Sequence, residues 1–264
     1  MKNKFIWRVA ALVAFVVMLV VNSIAASTTL LGGWNTADVS AAYPSLFTPA
    51  GYTFAIWGVI YTLGAAYFAY QFGLFGKVAK DKQGLIDAIT PSVLLLSLVN
   101  IAWIFSWQYN VIWLAMLFIV AMLVVLVRIN ERLRRAEYTK KEFALLRAPF
   151  SVYFGWITVA TVANISVWLV SINWDGWGVS SPAWLVTVLW VAAAVGVVAT
   201  LRNKDWPYGL VFVWAYIGIL LGSVQLEIGV VANLAFLITI LAAVSGYVYA
   251  HPAEKTSWWP LFKR

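Results

Sequence analysis

The chemistry this sequence offers is that of amides and indoles rather than of acids and bases. No Asp, Glu, Lys, Arg or His falls well inside a long apolar stretch, whereas Asn100, Asn164 and Asn233 do. An amide in hydrocarbon costs free energy unless it is hydrogen-bonded. Each of these therefore either ties two helices together or anchors a ligand. Two of them end or begin an aromatic series. Tyr153, Trp156, Ala160 and Asn164 recur at helical spacing, as do Asn100, Trp103 and Trp107, and a third series runs Phe54, Trp57, Tyr61, Gly64. Residues three or four apart share a helix face. Small residues let helices approach closely, so packing alone accounts for each stripe. Together the three fit the wall of a cavity, since flat aromatic surfaces with few polar anchors suit a hydrophobic planar ligand.

The same inventory excludes much. With no cysteine there is no disulfide, thiolate metal site, iron–sulfur cluster or cysteine nucleophile. The single histidine, His251, stands beside Pro252 at the end of the last apolar stretch and reads as structural. Proton relays and intramembrane hydrolysis use ionisable groups within the membrane. No catalytic residue and no metal ligand is assigned, and an enzyme ranks last among the functional readings.

The elements that must position these residues follow from composition. The chain has 264 residues, of which 63% are hydrophobic and only 11% charged, against about 25% charged in an ordinary soluble domain. Only helices and closed barrels satisfy their backbone in hydrocarbon, and the apolar runs are too long and continuous for barrel strands. The expected fold class is all-α, a polytopic membrane bundle of about eight transmembrane helices. They are placed at about 5–26, 52–72, 88–107, 109–127, 148–171, 183–201, 206–223 and 228–250, each near the roughly 20 residues a crossing needs.

All 18 Lys and Arg fall in alternate segments: before the first span, between spans two and three, four and five, and six and seven, and after the eighth. Basic residues stay on the cytoplasmic side during insertion. The expected location is the plasma membrane with both termini cytoplasmic. The formal charge of +8 is thus a topology signal, dispersed rather than gathered on one face as a nucleic-acid site would be. The dense stretch 128–147 reads as a helical extension at the headgroups, with Glu131/Arg135 and Glu137/Lys141 paired at i,i+4. Ile24-Ala25-Ala26-Ser27 after the first apolar run also fits a signal-peptide cleavage site. Trp7, Trp34, Trp107, Trp174, Trp177, Trp184, Trp206, Trp258 and Trp259 fall at span ends, where indoles suit the headgroup level.

The three stripes resemble the TspO/MBR family, the tryptophan-rich sensory proteins that include the mitochondrial translocator protein. Thr48-Pro49-Ala50-Gly51-Tyr52-Thr53-Phe54-Ala55-Ile56-Trp57-Gly58-Val59-Ile60-Tyr61 looks like that family's approach to its second helix. Asn100-Ile101-Ala102-Trp103 is similar to the Asn-x-x-Trp of its third, and Tyr153, Trp156, Ala160 and Asn164 match the spacing in its fifth. Ala50, Tyr52, Ile56 and Val152 depart from the pattern, each replacing a proline or tryptophan. The resemblance covers about residues 5–172.

It implies a five-helix membrane domain over 1–172, followed by a three-helix extension over 173–264. It also implies a bilayer-embedded protein, often a homodimer, that senses or moves a hydrophobic planar molecule such as a porphyrin or other tetrapyrrole, held as ligand with no separate cofactor. The implied ligand-binding residues are Phe54, Trp57, Tyr61, Asn100, Trp103, Tyr153, Trp156, Ala160 and Asn164. The loop 27–51, with Trp34, Asp38 and Tyr43, corresponds to the family's lid; an ordered segment lying at the interface is the other reading. The alternative function is an eight-helix exporter of a small hydrophobic solute, using Tyr208, Trp214, Tyr216, Gln225 and Asn233.

Overall fold

A computed structural model describes residues 2–222 and 226–251. Gln225, Pro252, Trp258 and Trp259, named above, and the last three basic residues, Lys255, Lys263 and Arg264, lie outside the described residues. Among those described there are helices and no strands.

Among the described residues, seven helical segments are long and apolar enough to cross a membrane. They contain α1 (Lys2–Ser27), α3 (Ile56–Gln71), α4 (Lys80–Gln108), α5 (Ile112–Leu133), α7 (Ala148–Ser171), α8 (Ser181–Asn203) and α10 (Ile228–Ala250); α2 (Thr36–Ala42) and α6 (Lys140–Glu142) are short connecting helices. The stretch read as a span at 206–223 is an apolar helix of 15 residues, α9 (Trp206–Leu220), shorter than the other seven. At 1.5 Å per residue it is about 22 Å long, short of the roughly 30 Å of hydrocarbon. The 3₁₀ turn Gly51–Ala55 lies across its C-terminal end, where Ala50 N–H donates to Gly218 C=O at 2.8 Å.

α4 starts eight residues before the expected boundary at 88. Its first two turns carry Lys80, Asp81, Lys82 and Asp87, so they continue the helix beyond its apolar part. Pro91 within α4 leaves Asp87 C=O without its helical donor, and Arg132 of α5 donates to the neighbouring Ala88 C=O. Pro149 likewise cannot donate to Leu145 C=O. The chain just before it widens into a π-helical turn, Phe143–Arg147.

The basic segments gather at one end of the bundle. Arg8 meets Asp87 at 2.7 Å, Lys141 donates to Phe75 C=O, and Arg147 pairs with Asp205 at 3.0 Å. Of the two i,i+4 pairs expected in 128–147, Glu131 reaches Arg135 at 4.0 Å but holds Arg134 more closely, at 2.6 Å. Glu137 and Lys141 do not pair. Glu137 lies in a non-helical stretch before α6, and Lys141 turns to Phe75.

α1, α4, α5 and α7 pack in sequence, α3 lies on α7, and α9 packs between α7 and the pair α8 and α10. The α7–α9 approach is close because Gly155 has no side chain. A Cβ there would stand 2.9 Å from Tyr208 C=O and from Val211 Cβ. A single apolar core runs through both halves of the chain.

Candidate functional site

The three aromatic stripes converge. Trp57 is the hub, with its ring centroid 5.6 Å from Tyr61, 6.2 Å from Trp103, 5.9 Å from Tyr153 and 6.2 Å from Trp156. Tyr61, Trp57, Trp103 and Trp107 form a continuous stack, with successive planes within 28° of parallel. Tyr153 and Trp156 meet Trp57 edge-on, and Phe54 meets Trp156 edge-on at 6.0 Å. Such edge contacts place a positive ring rim against a negative ring face. Helical spacing explains the convergence: α3, α4 and α7 each turn one apolar face toward the others.

The amides serve the protein itself. Asn22 Nδ2 donates to Asn100 Oδ1 at 2.8 Å, and Asn100 Nδ2 donates to the Tyr153 hydroxyl at 2.9 Å. That hydroxyl points at Met122 Sδ, 3.8 Å away. Trp103 Nε1–H donates to Asn164 Oδ1 at 3.1 Å, and Asn164 Nδ2 donates to Ala160 C=O at 3.0 Å. Asn100 and Asn164 thus bridge helices. Asn22 completes the first chain, and the aromatic patterning gave no hint of it. A lone amide within the long apolar run of α1 was the available signal. Replacing Asn100 with alanine removes bonds to two other helices, and the expected loss is about 1–2 kcal/mol of stability, read from unfolding of the detergent-solubilised protein.

One donor at the hub is left over. Trp156 is only 3% exposed, and its Nε1–H has no acceptor. The hollow beside these rings is small. A cavity of about 30 Å³ lies beside the cluster, against Phe15, Ile60, Gly64, Tyr67, Leu96 and Tyr153. That is room for a water molecule, whereas drug-sized ligands occupy roughly 300–1,000 Å³. The rings fill the site with one another. Gly64, the last member of its stripe, faces Phe15 of α1, whose ring stands 2.7 Å from where a Cβ would be.

The loop 28–50 is ordered and pinned to the α4–α5 hairpin. Gln108 Nε2 donates to Ala25 C=O and to Trp34 C=O, Trp107 Nε1–H to Thr36 C=O, and the Tyr43 hydroxyl to Asn110 Oδ1. Asp38 is spent in a capping box with Asn35 at the start of α2. Gly32 sits at φ +69° with Gln108 C=O only 2.1 Å from where a Cβ would be, so this crossing requires glycine.

Of the C-terminal residues named for a transport path, Tyr208 donates to Thr158 Oγ1 at 3.2 Å and Tyr216 to Leu189 C=O at 2.6 Å. Trp214 donates to Thr53 C=O at 2.9 Å, and Asn233 accepts from Trp190 Nε1–H at 2.7 Å. His251 stacks on Tyr247 with centroids 4.5 Å apart. Among the described residues no three His, Asp or Glu side chains gather where they could hold a metal ion.

A buried ion pair was not foreseen. Arg147 is 3% exposed and Asp205 0%. Asp205 caps α9, accepting from Arg147 at 3.0 Å, from the Ser151 hydroxyl at 2.7 Å and from Tyr208 N–H at 3.4 Å. Burial pushes the Asp205 carboxyl above its ordinary range, against the pull of Arg147 and Ser151.

A family model described as TSPO-like protein matches residues 8–248. No curated protein and no solved structure matches the chain. The family match runs past residue 172 through α8, α9 and nearly all of α10, further than the sequence motifs reach. This chain belongs to the TSPO-like protein family and is an integral membrane protein.

Proposed function

We propose that the chain binds a flat hydrophobic molecule of tetrapyrrole type at the Trp57 hub, in order to sense it or move it. The observation that carries this reading is the convergence of Trp57, Trp103 and Trp156 on one point, with the Trp156 N–H buried and without an acceptor. Orphaned buried donors are uncommon, and a ligand carboxylate or ring nitrogen would satisfy this one. Binding requires the rings to part, since the resting cluster is filled. A flat ligand would replace ring-on-ring contacts with ring-on-ligand contacts of the same kind. The basic end is proposed to face the cytoplasm.

The test is titration of the purified protein with protoporphyrin IX, followed by the shift of the porphyrin absorption band. Trp57→Ala is expected to weaken binding about tenfold by removing the central stacking surface. Trp156→Phe keeps a ring but loses the donor, and about fivefold weakening is expected. If the unaltered protein leaves the spectra of a panel of tetrapyrroles unchanged, the reading is wrong.

A further inference from the structure

We propose that α9 is a latch, with Trp214 and Gly218 holding the turn Gly51–Ala55 closed over the aromatic hub, so that a ligand gains access from this side only when the latch opens. The proposal rests on the ligand reading above and assigns a role to the C-terminal helices in it.

The turn is held from several directions. Trp214 Nε1–H donates to Thr53 C=O at 2.9 Å, and the Trp214 ring meets Tyr52 edge-on at 5.7 Å. Ala50 N–H donates to Gly218 C=O at 2.8 Å. Gly218 admits Thr53 against the α9 backbone, since a Cβ there would lie 2.1 Å from Thr53 Oγ1. One turn further on, Thr48 C=O stands 3.3 Å from where a Gly222 Cβ would be. Thr53 is fully buried as a result, with its hydroxyl unpartnered.

What the turn carries is part of the hub. Phe54 follows Thr53 and lies edge-on to Trp156, and α3 begins at Ile56 with Trp57 next. A displacement of the turn therefore moves Phe54 off Trp156 and loosens the start of the helix that carries Trp57. Short 3₁₀ turns have poorer hydrogen-bond geometry than α-helix, so the position of this segment depends on outside contacts. Phe54 rests on Trp156 of α7, and the hydrogen bonds that tie the turn to another helix come from α9.

Because the chain has no cysteine, Thr53→Cys gives a single reporter thiol at the buried centre of the turn. The Thr53 hydroxyl makes no bond, and its carbonyl is kept. In detergent-solubilised protein, a water-soluble maleimide should label this thiol slowly. Adding Trp214→Phe should speed labelling about fivefold to tenfold, the population change expected for loss of one hydrogen bond. Adding Gly218→Ala instead should speed it at least as much through steric contact. Each variant is first checked for the same helical content and elution volume as the parent. The second arm measures the rate of protoporphyrin IX uptake, which should rise in Trp214→Phe by a similar factor in the Cys-free protein.

Equal labelling rates in parent and both variants overturn the latch. Faster labelling with an unchanged uptake rate overturns its control of access. Absence of any porphyrin binding sinks the ligand reading, while the labelling rates still judge whether α9 holds the turn.

Discussion

Asp205→Ala is expected to lower stability by about 3–5 kcal/mol, the usual result of stripping one partner from a buried ion pair. The Arg147 guanidinium would remain enclosed without its counter-charge. The Ser151 hydroxyl and Tyr208 N–H would lose their acceptor as well. The N-cap of α9 is lost in the same stroke, and with it the start of the helix that joins the two halves of the chain. The reciprocal experiment separates charge from packing. Arg147→Leu with Asp205→Leu removes both charges together, and the double variant should recover a good part of the loss, because a buried pair contributes little net stability over apolar replacements of similar size. Thermal or denaturant unfolding of the parent, Arg147→Leu, Asp205→Leu and the double variant in one detergent gives the coupling free energy directly. A single-variant loss below about 1 kcal/mol would mean that the pair is solvated and that the closed arrangement is wrong.

Gly155→Leu is expected to be the next most damaging change, at about 3 kcal/mol, the upper part of the usual range for overpacking. The first atom of the new side chain meets backbone as well as side chain, since Tyr208 C=O and Val211 Cβ both lie 2.9 Å from it. Neither can step aside without moving α9. The helices must separate, and the Phe154–Tyr208 ring contact at 4.7 Å opens with them. Gly155→Ala makes the first of these contacts only, so it should cost less. Limited proteolysis between α7 and α8 offers a second readout. Faster cleavage in Gly155→Leu is expected there, because the C-terminal helices lose their main contact with the rest of the bundle.

Much of the bundle was legible because its cause is local. Apolar runs of about 20 residues announce spans, and α7 begins and ends where its run does, at Ala148 and Ser171. The meeting of Trp57, Trp103 and Trp156 was legible because each sits in a helical stripe, and a stripe must face something. What the stripes could not say is whether the rings enclose space or fill it. That depends on interaxial distances of a few ångström, which no spacing rule carries. The Arg147–Asp205 pair was hidden for a different reason. Both residues stand at helix boundaries, where a charge is ordinarily solvated, and only the close crossing of α7 and α9 buries them. The partner of Asn100 was hidden by distance along the chain, since Asn22 lies 78 residues away. The shortness of α9 was masked by its apolar sequence, which serves protein neighbours as readily as lipid.

The wide turn at Phe143–Arg147 carries one more consequence. In an α-helix each residue advances the azimuth by about 100°, so one surplus residue resets the rotational phase of everything before Ala148 relative to the helix that follows. Arg147 faces inward, toward Asp205, in that shifted phase. With a regular helix in its place, the guanidinium would swing about a quarter of a revolution away from its carboxylate. Pro149, which has no N–H to give to Leu145 C=O, stands two residues beyond that charge, at the start of α7.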